Sequence, residues 1–178
     1  MMDISILESQ LAELPLFGSF FIDPNDLEFS DRIRWICENE CPMCGRTWAC
    51  PPGVGTVQQC KEKCLCHENC LMIATIVEVN DITNIDETLA TRPDHEDITN
   101  QVRDLMRAQG VDPYILSTEA CAICQRCAYL DGQPCRYPDR MHPCVESHGI
   151  NVIPVMEQCG LEFQYGQNVV TWLSLLFY

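Results

Sequence analysis

Apolar residues Ile4, Leu7, Leu11 and Leu14 recur at three- and four-residue intervals, so residues 3–14 are predicted as a short amphipathic helix ended by Pro15. Ser19 to Ile22 reads as a strand, closed by the turn-forming Asp23-Pro24-Asn25-Asp26. Arg32-Ile33-Arg34-Trp35-Ile36 alternates polar and apolar and leads directly into Cys37. Thr56 is a suitable N-cap for a helix reaching about Asn69. Cys70 to Val79 is β-branched and apolar, the pattern of a central strand, and Asp81 to Asp94 is polar and loop-like. Ile98, Val102, Leu105 and Met106 form a helical stripe that Gly110 ends. Tyr114-Ile115-Leu116 is predicted as a short strand, Pro143 to His148 as a helical turn or two before Gly149, and Asn151 to Gln158 as a short helix with Pro154 in its first turn. Val169 to Tyr178 reads as a buried strand. The interleaving predicts an α+β fold in which a small, mainly antiparallel sheet packs with helices.

The chain has 178 residues, 47% of them hydrophobic, which suits a single domain over residues 1–178 with a real core. Cysteine-rich loops at 37–52 and 121–138 interrupt it. A net charge of −15 with 11 lysines and arginines repels phosphate backbones and anionic lipids, which argues against nucleic acid or membrane as a partner. Fourteen cysteines would suggest disulfides in a secreted protein, but Met1-Met2-Asp3-Ile4-Ser5 lacks the basic start and apolar core of a signal peptide. The expectation is a cytoplasmic protein, where thiols stay reduced and clustered cysteines point to metal.

Cys121-Ala-Ile-Cys124-Gln-Arg-Cys127 is the most specific signal, since three thiols at this spacing can wrap one corner of a cubane cluster. Cys135 is the candidate fourth ligand, although its later position departs from the bacterial ferredoxin pattern. Zinc sites more often pair cysteines two and two, so the spacing favours an iron–sulfur cluster, [4Fe-4S] in particular, with zinc as the alternative cofactor. The first group, Cys37, Cys41, Cys44 and Cys50, precedes Pro51-Pro52. Its first three cysteines match the spacing of radical S-adenosylmethionine enzymes, which leave one iron open. Against that reading, too few residues follow to build the usual barrel, and Met43 stands where an aromatic is usual.

These segments resemble those of an uncharacterised family of predicted metal-binding proteins from anaerobic bacteria and archaea, a domain of unknown function. The resemblance is carried by Cys37…Cys41-Pro-Met-Cys44-Gly45-Arg46-Thr47-Trp48-Ala49-Cys50-Pro51-Pro52, by Cys121 to Cys127 with Pro134-Cys135-Arg136-Tyr137-Pro138, and by His148-Gly149-Ile150-Asn151-Val152. It spans roughly residues 30–155 and implies metal binding and nothing finer. Cys44 falls where many relatives have tyrosine, which makes it the least secure of the eight candidate ligands and leaves three for the first group without it.

Cys60, Cys64, Cys66 and Cys70 look like a further motif, but on a helix they divide between two faces and are read as small buried hydrophobes, with Cys64 or Cys66 beside His67 as the minority ligand reading. Cys144 and Cys159 are isolated and assigned to packing, although His142 and His148 flank Cys144 and a zinc site there is the alternative. Amides near Gly45 and Gly132 are expected to donate to sulfur, and Arg46, Arg126 and Arg136 to place positive charge near the clusters. Three functions stand: a redox module passing electrons to a partner protein, a zinc-stabilised interaction protein, and an enzyme using an open iron in the first group.

Overall fold

A computed structural model describes residues 2–162 and 164–178. Helix α1 (Ile4–Leu11) starts at Asp3, whose carboxylate accepts the Ser5 and Ile6 amides, and leads to strand β1 (Gly18–Ile22). A two-residue strand β2 (Glu28–Phe29) and helix α2 (Asp31–Asn39) precede the first cysteine loop. Helix α3 (Val57–Leu65) begins with a full capping box, the Thr56 side chain and Gln59 each bonding the other's backbone amide. It is followed by β3 (Cys70–Glu78), α4 (Ile85–Ala90), α5 (Arg92–Ala108) and β4 (Tyr114–Ser117). Beyond the second cysteine loop come β5 (Ile150–Asn151), α6 (Ile153–Gln158) and β6 (Val169–Phe177).

The main sheet has four strands in the order β1-β3-β6-β4, every neighbouring pair antiparallel, while β2 and β5 form a small second sheet. This is the α+β architecture expected. Alternation along β3 sends Leu71 and Ile73 to one face, where they pack with Leu7 and Leu11 of α1 and Val102 and Met106 of α5. Cys70, Met72 and Ala74 face the other way, into a core completed by Leu27, Val145, Ile150, Val155, Met156 and Phe177.

Two readings change. Residues 32–36 are helical: Ser30 caps α2 through its hydroxyl on the Arg32 amide, and Arg34 is the buried residue of that helix. The polar stretch 81–94 holds α4 and the start of α5, with Asn84 accepting the Glu87 amide as N-cap. Its polarity reflects helices lying on the surface, together with a buried polar chain beneath α5. There His95 bonds Thr75 through Nδ1 at 2.8 Å and Ser174 through Nε2 at 2.9 Å. Ser174 meets Thr99 at 2.9 Å, Ser117 bonds Glu96, and Glu96 pairs with Arg92 at 3.1 Å.

Burial holds the His95 imidazole neutral, lowering its pKa from 6.5 to about 4. Protonation therefore favours the unfolded chain: this stabilisation is complete above about pH 6.5 and is lost as pH falls toward 4, for a total on the order of 3 kcal/mol. Urea unfolding at pH 7.5 and pH 5 is expected to show a steeper loss for the wild-type chain than for His95→Gln. Equal losses in the two proteins would refute that account.

Candidate metal centre

Arg92 ties the fold to the second cysteine loop. Its Nε donates to the Thr118 carbonyl at 2.9 Å and its Nη1 to the Ala120 carbonyl at 2.8 Å. Between those carbonyls Glu119 adopts φ +67°, a left-handed conformation unfavourable for a residue with a side chain. The guanidinium thus clamps a strained turn that feeds directly into Cys121. From there the chain has little regular structure apart from a 3-10 turn at Ala128–Asp131, ended by Gly132 at φ +63°.

Cys121, Cys124, Cys127 and Cys135 all line one cavity of about 350 Å³. The structure therefore brings together all four cysteines of the second group. Arg46, Arg126 and Arg136 line the same cavity, and Arg126 is paired to Asp131 at 2.7 Å. The Trp48 indole donates to the Gln133 carbonyl at 2.9 Å and packs edge-on against Tyr129, joining the first cysteine loop to the second.

Thr47, which the sequence did not single out, also lines this cavity and is only 3% exposed. Its hydroxyl has no nitrogen or oxygen partner among the described residues and lies where it can donate to a Cys50 thiolate. A buried hydroxyl without a partner is costly unless a sulfur or other acceptor takes its proton. A second cavity of about 560 Å³ adjoins the first, sharing Met43, Cys121 and Cys124 and lined elsewhere by Arg92, Glu96, Asn100 and His142.

In the first group, Cys37 projects from α2 and Cys41 and Cys50 from the loop after it. Burial pushes the Cys50 thiol up to about 11, and the neighbouring Cys41, Cys37 and Cys121 thiols add to the effect. Cys37, Cys41 and Cys121 thus lie within electrostatic range of Cys50. Cys44 turns away, its thiol bonded to the Pro51 carbonyl at 3.5 Å. The residue that does meet Cys37 is Cys144: a hydrogen bond between the two thiols lowers the Cys37 pKa and raises that of Cys144. The Cys144 thiol also contacts the Glu146 carboxylate at 2.8 Å. The sequence marked Cys144 only through its flanking His142 and His148, because Cys37 is remote from it along the chain.

The amides of Gly45 and Gly132 do not serve the sulfurs as expected. They bond the Pro51 and Tyr129 carbonyls at 2.7 and 3.0 Å, closing the turns that the glycines permit. All fourteen cysteines are free thiols. Cys60, Cys64 and Cys70 are fully buried and burial raises each pKa, the behaviour of packed hydrophobes, while Cys66 is exposed at the end of α3. His142 bonds Asn100 at 3.1 Å and His148 bonds Tyr114 at 2.7 Å.

Among the described residues no three His, Cys, Asp or Glu side chains gather tightly enough to hold a single ion. The four cysteines of the second group share the lining of one cavity. Residues 20–178 match the family described as "Predicted metal-binding protein (DUF2284)". The chain belongs to this family. The match takes in both cysteine loops and all four strands of the main sheet save the first residues of β1. No curated protein and no solved structure matches the chain. No helix among the described residues is long and apolar enough to cross a membrane.

Proposed function

We propose that this DUF2284 protein holds an iron–sulfur cluster of the [4Fe-4S] type at Cys121, Cys124, Cys127 and Cys135, and a second metal centre at Cys37, Cys41 and Cys50, and that it carries electrons to a partner protein in the cytoplasm. The observation that carries this reading is the ring of four thiols around one cavity of about 350 Å³. Tetrahedral zinc draws four sulfurs to about 3.8 Å from one another, as Zn–S bonds near 2.3 Å require. A polynuclear core keeps them farther apart and occupies a volume of its own, which a cavity of about 350 Å³ supplies.

The surroundings fit such a core. Arg46, Arg126 and Arg136 offset the negative charge of a thiolate-bound cluster, and the Thr47 hydroxyl is a spare donor for sulfur. When bound, the cluster supplies a one-electron carrier whose potential these groups tune. Ile123, Leu130 and Tyr137 leave apolar surface exposed around the second group, and Trp35 and Ile36 do so beside Cys37, which suits transient docking of a redox partner.

Protein purified without oxygen is expected to be brown, with broad absorption near ~400 nm and matching iron and acid-labile sulfide. A colourless protein carrying stoichiometric zinc would overturn the reading in favour of a zinc-stabilised interaction protein. The cavity of about 560 Å³ beside Cys121 and Cys124 favours a second reading, an enzyme acting on a small molecule next to the centre. Cleavage of S-adenosylmethionine by the loaded, reduced protein would support it.

A further inference from the structure

We infer that Cys144, rather than Cys44, supplies the fourth thiolate of the first metal centre, alongside Cys37, Cys41 and Cys50. The inference rests on the reading of the first group as a metal site and names the ligand that completes it.

Three independent contacts place Cys144 there. Its backbone amide donates to the Ala49 carbonyl at 3.1 Å, which sets it beside Cys50. Its thiol meets that of Cys37. Its segment is fastened to α2 by Arg34, whose Nη1 donates to the Ser147 carbonyl at 2.5 Å one helical turn before Cys37. On its other side Cys144 forms an isolated parallel bridge with Ser117, and the Ser117 amide donates to the Pro143 carbonyl at 2.9 Å, so the end of β4 fixes its height above the sheet. The thiol is therefore held between the last residue of a central-sheet neighbour and the helix that carries Cys37. Cys144 is 7% exposed, and its thiol has polar neighbours, the Glu146 carboxylate and the Cys37 thiol.

Cys44 has the opposite setting. Its amide bonds the Cys41 carbonyl at 3.2 Å in the turn that presents Cys41, and Gly45, at φ +70°, completes that turn on the Pro51 carbonyl. The turn that aims Cys41 toward Cys50 thereby aims Cys44 at Pro51. To face the other three sulfurs the Cys44 thiol would first have to give up the Pro51 carbonyl. Coordination by Cys144 requires that its S–H, which donates to the Glu146 carboxylate at 2.8 Å, give way to a sulfur–metal bond, the proton passing to Glu146 or to water.

The test uses the full chain, loaded anaerobically with ferrous iron and sulfide, and reads iron and sulfide per chain together with the electron paramagnetic resonance spectrum after reduction. Cys144→Ser is expected to lose as much iron as Cys37→Ser and to lose the same spectral component, whereas Cys44→Ser keeps both. Loss in Cys44→Ser with full retention in Cys144→Ser overturns the inference while leaving the first group a metal site. Full retention in Cys37→Ser overturns both the inference and that reading of the first group.

Thiol mapping of the wild-type chain decides the matter should Cys144→Ser misfold. In the loaded protein iodoacetamide is expected to label Cys44 as fast as in the metal-free protein. Protection of Cys44 on loading, or a Cys37–Cys144 disulfide in the loaded protein, contradicts the assignment.

Discussion

Stripping metal from the Cys121–Cys135 group is expected to make residues 119–141 the first target of a protease while the sheet stays folded. Among residues 118–141 only Ala128 is buried, so the segment has almost no apolar core of its own. What holds it, besides Arg92, is the Trp48 bond to Gln133 and the Arg103 bond to the Asp139 carbonyl at 2.5 Å. Ordering a backbone costs on the order of 1 kcal/mol per residue, far more than those few bonds return. On the proposed reading, metal–thiolate bonds to four points along the loop close that gap, so that binding energy becomes ordering energy. Trypsin should then cut at Arg126, Arg136 and Arg140 roughly tenfold faster or more after anaerobic chelation, with the sheet fragment surviving. Cys127→Ser should reproduce the pattern without chelator. Identical sites and rates with and without metal would show that the loop is ordered by other means.

Arg34 is the side chain whose loss is expected to cost the most stability in the metal-free chain. It is 5% exposed, and its guanidinium reaches three elements at once: Glu38 at 2.7 Å within α2, the Gly55 carbonyl at 2.6 Å and the Ser147 carbonyl. Arg34→Met keeps much of the volume but leaves the buried Ser147 carbonyl and the part-buried Gly55 carbonyl without this donor, a loss of about 3 kcal/mol. Glu38 is largely exposed and returns to water, so it adds little to the penalty. Arg34→Lys should recover only part of the loss, because one ammonium cannot serve three directions as a planar fork does. Urea titration reads both effects. A lysine variant as stable as the wild type would show that charge alone, not the forked geometry, matters at this position.

Much of the fold was legible because the sheet obeys simple rules. Cys70–Glu78 and Val169–Phe177 are apolar and β-branched since both lie inside the sheet, and α3 and α5 announced themselves by Thr56 and by the Ile98–Met106 stripe. Helix α2 was hidden because its face is inverted: Arg34 is buried while Trp35 is 52% exposed. An arginine can occupy that inner position only because Gly55 and Ser147, distant in sequence, supply carbonyls, and no local pattern records them. The second cysteine group could be read as a unit for the opposite reason, since the four cysteines that line one cavity also lie close together in sequence. The first group was legible only where it is local. Cys44 sits in the motif yet faces Pro51, and Cys144 lies outside it yet meets Cys37.

The placement of β6 between β3 and β4 has a consequence for the order of events during synthesis. Neither the pairing of β3 nor that of β4 with its central neighbour can form until residues 169–177 have left the ribosome. Such distant pairings form late, and until then both cysteine groups hang on an open chain. A nascent chain of this kind would bind stray thiophilic ions as readily as the proper cargo. On the proposed reading, faithful loading belongs after β6 has slotted in, when the scaffold rather than the loops decides which sulfurs meet.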